Sequence, residues 1–409
     1  MVPPPTFKIS ASAPLTQRMV ANTLTIGTSS LTDTARAVAY AVAGALEGAE
    51  NPTFALVLST DQYDHEVLAA SVNRALGSIP WVGCCTAGVF ADRTVLEQGI
   101  VIGVFSSREA RIGVGVSGPV SVNGHASGRA AAAEALNALP QQTADRHRAL
   151  IVMPDAVTGN GAEVIRGAAS EGGSAIAWAG GGAGDNLRFL RTAQYARGRA
   201  LNDHVVTLAI DLPRPFGIGI RHGWQPYGPP TMVTKARGAT AIELDYESAF
   251  DAYRRTVQQR GDCVSLDNFS TFAMTHPLGI PQADGEHVIR DPLSVDADGG
   301  LRCVAEVPEG SLVRVMEGDC KALVAAALAA ASTARLGVGA RVAGAIVFDC
   351  VSRWLMLKDR MHEEMDAFRD GLGEGVPILG CLTFGEVGAL GGGVPQLHNK
   401  TAVVLALPA

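Results

Sequence analysis

At 409 residues the chain has room for two or three domains with full cores. Hydrophobic residues at 47% against 18% charged make it globular and exclude a disordered chain. A net charge of −7, scattered Lys and Arg, and only 5% aromatics exclude nucleic acid as a partner.

In chain order, residues 1–20 read as a loose, Pro-rich lead without the apolar core of a signal peptide. Residues 34–50 form an Ala-rich helix that Asp33 caps. An apolar strand at 54–59 leads into a helix ending at Leu76, and the Ser-Ile-Pro at 78–80 breaks it before the strand WVGCC. A strand at 99–105, an alternating run at 111–116 and a helix at 126–139 follow. Strands at 149–155, 204–210 and 216–220 come next. The segment 236–240 is the expected boundary between domains 21–238 and 239–409. Beyond it lie a helix at 246–259, short strands at 288–289, 301–307 and 312–316 between Asp-Gly and Pro-Glu-Gly turns, and a helix at 321–336. Strands at 345–350 and 401–407 complete the chain. The longest apolar run, 322–331, is far short of the ~20 residues of a bilayer span. It reads as a buried or amphipathic helix, and the chain is expected to be soluble and cytoplasmic.

Three stretches repeat one order: apolar strand, helix, Gly-rich turn, apolar strand. The turns are GCCTAGV from Gly83, AGGGAGD from Ala179 and GCLTFGE from Gly380. The first and third align without a gap, placing Gly83, Cys84, Thr86 and Gly88 over Gly380, Cys381, Thr383 and Gly385. Several strands also follow one another through short turns. The fold class is therefore mixed α/β or α+β, with internally repeated βα-turn-β units in large mixed sheets covered by helices. The three turns should face a common interior cleft.

Seven cysteines, an odd number without a CxxC pair, read as free thiols in a reduced compartment. Cys84, Cys85 and Cys381 sit in the turns, either as small apolar fillers or as a nucleophile with turn N–H groups for an oxyanion hole. Asp185 and Glu386 end their turns and could hold a ligand ammonium or tie down their own loops, and Val89 takes that place in the first turn. Gly182 belongs to a GxGxG run, but no capped helix follows to hold a pyrophosphate. Arg353 could clamp a carboxylate or pair internally with Glu363 or Glu364. His362 opens HEEMD, where Asp366 replaces the second His of a zinc helix, so no metal site is expected.

Eight motifs in order resemble the FIST family, which carries an N-terminal and a C-terminal FIST domain in tandem. VGCCTAG, MPDAVTG, GGGAGDNLRF and HGWQPYG carry the first resemblance. VPEGSLV, FDCVSR, LGCLTFGEVG and HNKTAVVLAL carry the second. The resemblance implies a bacterial-type sensory module of intracellular signal transduction, binding a small polar ligand with amino acids among the proposals. It implies no catalysis, no cofactor and a separate signalling output protein, and leaves a homo-oligomer open. On this reading the ligand is held by Gly83, Cys84, Cys85, Thr86, Gly182, Asp185, Arg353, Cys381, Thr383, Glu386, His398 and Asn399. Other branches supply two alternatives: a haem-binding nitric oxide sensor, with His222 or His398 as axial ligand, and the receptor part of an F-box ubiquitin ligase. A cysteine-dependent enzyme is the third.

Overall fold

The computed structural model describes residues 21–173, 175–283, 285–389 and 393–409; the expected lead at 1–20 lies outside them. Three copies of one unit account for most of these residues. The first copy runs β1 (Thr23–Ser29), α1 (Thr34–Leu46), β2 (Pro52–Ser59), α2 (His65–Leu76), β3 (Trp81–Cys85), the short hairpin β4 (Val89–Ala91) and β5 (Thr94–Leu96), and β6 (Ile100–Ser106). The second repeats this order as β7 (Arg111–Ser117), α3 (Val120–Asn137), β8 (His147–Pro154), α4 (Gly161–Gly172), β9 (Ile176–Gly181), β10 (Gln194–Ala196), β11 (Arg199–Leu201) and β12 (Val205–Leu212).

The third copy begins with β13 (Gly217–Arg221) and is then interrupted. The insertion holds β14 (Gln225–Pro226), β15 (Thr231–Arg237), β16 (Thr240–Leu244), β17 (Glu247–Ser248), α5 (Ala249–Gln259) and α6 (Phe269–Thr275). It continues with β18 (Leu278–Pro281), β19 (His287–Arg290), β20 (Pro292–Val295), β21 (Leu301–Cys303) and β22 (Leu312–Glu317). These nine strands make one sheet of their own, packed on a core that includes Tyr227, Phe250, Tyr253 and Phe269. The boundary expected at 236–240 falls at the turn between β15 and β16. The third copy then resumes with α7 (Cys320–Val338), β23 (Val342–Cys350), α8 (Val351–Leu357), a 3-10 turn at Lys358–Arg360, α9 (Met361–Leu372), β24 (Ile378–Thr383), β25 (Glu386–Gly388), β26 (Gln396–His398) and β27 (Ala402–Pro408).

Each copy builds a six-stranded sheet with the same order of strands, and each borrows its last two from another copy. The sheets run β1-β6-β2-β3-β10-β11, β7-β12-β8-β9-β25-β26 and β13-β27-β23-β24-β4-β5. The hairpin after the first turn completes the third sheet, that after the second turn completes the first, and that after the third turn completes the second. The exchange closes in a ring. Only β2–β3, β8–β9 and β23–β24 are parallel among these ladders, each joined by a helical crossover as parallel pairing demands. The sheets are thus mixed, as expected.

The abundance of Gly and Ala has a local cause that also repeats. A Cβ on Gly27 of β1 would lie 1.9 Å from the Ala41 carbonyl of α1, one on Gly115 of β7 the same distance from Ala131 of α3, and one on Gly219 of β13 1.8 Å from Ala330 of α7. In every copy the first strand therefore lets the following Ala-faced helix touch its backbone. By length and composition α7 could cross a membrane, but its Ala face is buried on β13 and α9. It is an amphipathic helix with one buried face, one of the two forms its composition suggested. Leu58, Cys84, Met153, Leu208, Phe348, Cys381 and Leu405 meet in one hydrophobic cluster shared by all three copies.

Candidate functional site

The three Gly-rich turns converge, and they bond to one another. Gly182 N–H donates to Gly385 O at 2.8 Å, Gly184 N–H to Cys85 O at 2.9 Å, and Ala87 N–H to Leu382 O at 2.9 Å. The centre is therefore a knot of backbone instead of the open cleft the repeat suggested, with hollows around its edge. Gly83 is required by packing: a Cβ there would stand 1.8 Å from Val57 O. Thr86 is spent on the turn itself, donating to Gly88 O at 2.9 Å. Cys84, Cys85 and Cys381 are fully buried. Burial pushes the Cys84 thiol up to about 12 and holds Cys85 and Cys381 well above the ordinary thiol range. These are protonated core side chains, which fits the apolar-filler reading.

Ladder register changes which residues correspond. Val89 faces Cys381, and Gln194 faces Cys84 in the same way. Glu386 faces Gly181. Gln194, not Asp185, is therefore the counterpart of Glu386, because the second copy carries a nine-residue loop, 185–193, before its hairpin. Asp185 anchors that loop, accepting from the N–H groups of Phe189 (2.8 Å), Leu190 (2.6 Å) and Arg191 (3.0 Å). Asn186, Leu187 and Phe189 take positive φ of 53°, 64° and 54°, conformations costly for branched and aromatic side chains.

Arg353 is also internal. It is fully buried, donates to Glu364 Oε1 at 3.0 Å through Nε and lies 2.9 Å from Asp349 Oδ1. Burial and the charge of Glu364 push Asp349 well above the usual carboxylate range. Glu386 is buried beside it and raised to about 8, chiefly by burial. The hydrogen bonds oppose this rise: Thr383 Oγ1, 3.1 Å from Asp349 O, donates to Glu386 Oε1 at 2.8 Å, and the Thr401 N–H donates to Oε2 at 3.1 Å. His398 is bonded through Nε2 to Gly388 O at 3.1 Å, and His222 Nδ1 accepts from Trp224 N–H at 2.9 Å. Burial lowers them to about 4 and about 3, and neither lines a cavity described below.

A hollow opens at the carboxyl ends of the central strands in every copy, the position where ligands sit in sheets with parallel crossovers. In the third copy it measures about 300 Å³. Its walls are Leu187 and Phe189 from the loop, Leu293 and Val304 from the insertion, and Val351, Leu355 and Phe384. Phe189 stacks on Phe384 with ring centroids 4.6 Å apart. The polar end is formed by Cys350, Ser352, Asp291, Thr383 and Asn399. Ser352 Oγ donates to Asp291 Oδ2 at 2.8 Å, and buried Lys400 holds the other oxygen at 3.1 Å. Asn399 is 1% exposed, and its Oδ1 has no hydrogen-bond partner. The second copy has a smaller hollow of about 190 Å³ beside Gly182, Asn160 and Glu306.

The first copy's hollow is larger, about 510 Å³, and polar. Asp61, His65, Asn202 and the loop arginines Arg188 and Arg191 line it. His65 Nε2 lies 3.1 Å from Asp61 Oδ1, and Nδ1 lies 2.7 Å from Tyr195 OH, which is 2.7 Å from Ser59 Oγ. Arg188 pairs with Asp61 Oδ2.

Of the residues expected to hold a ligand, Thr383 and Asn399 line the third hollow with Glu386 just behind, and Gly182 lines the second. Gly83, Cys84, Thr86, Asp185, Arg353, Cys381 and His398 are structural in their contacts, and Cys85 is buried at the end of β3 without lining any of the three hollows. Sequence reasoning passed over Asp61, His65, Asp291, Ser352, Lys400 and the loop residues 186–193 that follow Asp185. The one available signal was Lys400, an isolated cation inside the apolar approach to the last strand.

Models of the FIST N domain and the FIST C domain match residues 53–247 and 249–389. The chain belongs to the FIST family. FIST domains are associated with sensing in signal transduction. A search of curated proteins returns no match. One solved structure, described as a cyanuric acid hydrolase formed by structural concatenation, aligns over 95% of this chain and 100% of its own at 10% identity, with a TM-score of 0.38. A second, a cyanuric acid hydrolase from A. caulinodans, covers 46% and 71% at 14% identity, with a TM-score of 0.23. Likenesses this low carry no argument about activity.

Proposed function

We propose that this FIST protein is a non-catalytic sensory module whose small ligand binds in the third copy's hollow. The observation that carries the reading is Asn399 Oδ1, a buried acceptor with no partner at the polar end of an otherwise apolar cavity. An unmet buried acceptor costs about 1–3 kcal/mol, which a ligand N–H or O–H would recover. The walls then select an apolar body, so the ligand class is a compact metabolite with one donor end, an amino acid with an apolar side chain included. Cys350 reaches the cavity as a neutral thiol, raised well above its ordinary range by burial and by Glu386, which favours binding over nucleophilic attack. The signal passes to a separate cytoplasmic partner.

Thermal-shift screening with amino acids and related metabolites, followed by calorimetry, tests this. A hit should lose affinity about tenfold or more in Asn399→Ser and in the cavity-filling Leu355→Trp. Affinity unchanged in both variants would defeat the assignment.

A further inference from the structure

We propose that Asp61, His65 and Cys85 form a site for a divalent transition metal of the zinc class. One carboxylate oxygen, one imidazole nitrogen and the thiol sulfur of these residues all lie within 4.8 Å of one another, the one such mixed cluster among the described residues. They come from three places that the fold fixes independently: Asp61 lies two residues past the end of β2, His65 opens α2, and Cys85 ends β3. Tetrahedral zinc, with bonds of about 2.0–2.3 Å, sets its ligand atoms about 3.3–3.8 Å apart, so closure of about 1 Å completes the set.

The surroundings suit such an ion. Tyr195 OH sits 2.7 Å from His65 Nδ1 and is itself held by Ser59, which fixes the ring and leaves Nε2 facing Asp61. Outer partners of this kind orient a metal-binding histidine. Arg188 occupies Asp61 Oδ2, leaving Oδ1 for a single bond to the ion. Oxygen, nitrogen and sulfur donors together match zinc or cobalt better than calcium or magnesium. Asp61 and His65 also line the 510 Å³ hollow, so water can fill the fourth position from that side. Binding replaces the Cys85 S–H bond with a metal–sulfur bond and releases the proton to solvent.

The test is a Co²⁺ titration of the full chain, reduced and freed of metal with a chelator. One equivalent should bind saturably, with a thiolate-to-cobalt charge-transfer band and the visible absorption of a four-coordinate ion, both reversed by Zn²⁺. Cys85→Ser should lose the charge-transfer band. His65→Gln and Asp61→Asn should weaken binding about tenfold or more. Cys263→Ser, at an exposed thiol, should change nothing. Absence of saturable binding, or a band that survives Cys85→Ser, would overturn the proposal. Circular dichroism checks the fold of each variant; if Cys85→Ser does not fold, unchanged binding in both of the other two is the overturning result.

Discussion

The first and third copies end the same strand in opposite chemistry. Val57 pairs with Gly83 and Val347 with Gly380, so counting outward sets Asp61 against Val351 and Cys85 against Leu382. Four residues beyond Asp61 and Val351, His65 is set against Leu355. Three donors in one copy thus answer to three aliphatic side chains in the other. The hollows follow suit: one is wide and polar, the other narrow and apolar. The backbone of the repeat supplies a hollow, and a few side chains on its rim decide what that hollow can hold.

The floors of the two hollows differ as well, which gives the largest expected effect. Asp349 stands where the first copy has Ser59, so the third copy rests on a buried charge cluster and the first on a neutral Ser59–Tyr195 bond. Arg353→Ala should cost about 3–5 kcal/mol, because it leaves buried carboxyls uncompensated. Ser59→Ala should cost only about 1 kcal/mol. Urea midpoints of the two variants measure the contrast, and equal costs would refute it.

Next comes a pH effect confined to the third copy. Glu386 is raised to about 8, so the folded chain holds its proton where the unfolded chain does not. The stability it contributes is full below about 4.5, its unfolded value, and is lost as pH rises through about 8, at about 1.4 kcal/mol per pKa unit. Glu386→Gln removes the titration and keeps an acceptor for the Thr401 N–H, while Thr383 can still donate to Asp349 O, and it copies Gln194 of the second copy. The variant should match the parent near pH 5 and exceed it by a few kcal/mol at pH 8.5. Denaturation at the two pH values checks this; the buried histidines, lowered by burial, act at the acid end instead.

The repeat was legible because a Gly turn after an apolar strand leaves a pattern at fixed offsets, and so were the mixed sheets and the burial of the Ala-rich helix α7. The ring exchange of hairpins was not legible. Nothing in Val89–Leu96 says that its partner is Cys381, nearly three hundred residues away, and that pairing is what closes the turns into a knot. Asp185 misled for a related reason. Its place in the turn matches Glu386 by sequence, but the nine-residue loop moves the ladder counterpart to Gln194. His65 carries no motif, since its companions are Cys85 and Tyr195, and only the folded sheet brings them together.

That loop touches both hollows, which makes it the place to ask whether they are independent. Asp185→Ala removes an acceptor of three backbone N–H groups and should cost about 2 kcal/mol. It should weaken ligand binding in the third copy and, through Arg188, alter Co²⁺ binding in the first. Calorimetry of ligand and metal on the same variant reads both. A change in one hollow alone would mean that the loop serves only that hollow.

The smallest effect separates the two most sharply. Phe189 is 52% exposed, yet its ring stacks on Phe384 at 4.6 Å and forms a wall of the third hollow. An aromatic pair of this kind contributes about 0.5–1.5 kcal/mol beyond its buried area. Phe189→Ala also relieves a bulky side chain from a positive φ of 54°, although alanine gains little there because it still carries a Cβ. The net loss of stability should therefore be about 1 kcal/mol or less. Ligand affinity should fall several-fold, since one face of the apolar wall is gone, while Co²⁺ binding at Asp61, His65 and Cys85 should be unmoved because Asp185 still holds the loop. A parallel fall in metal affinity would show that the loop moves as a single body and that the two hollows act as one site.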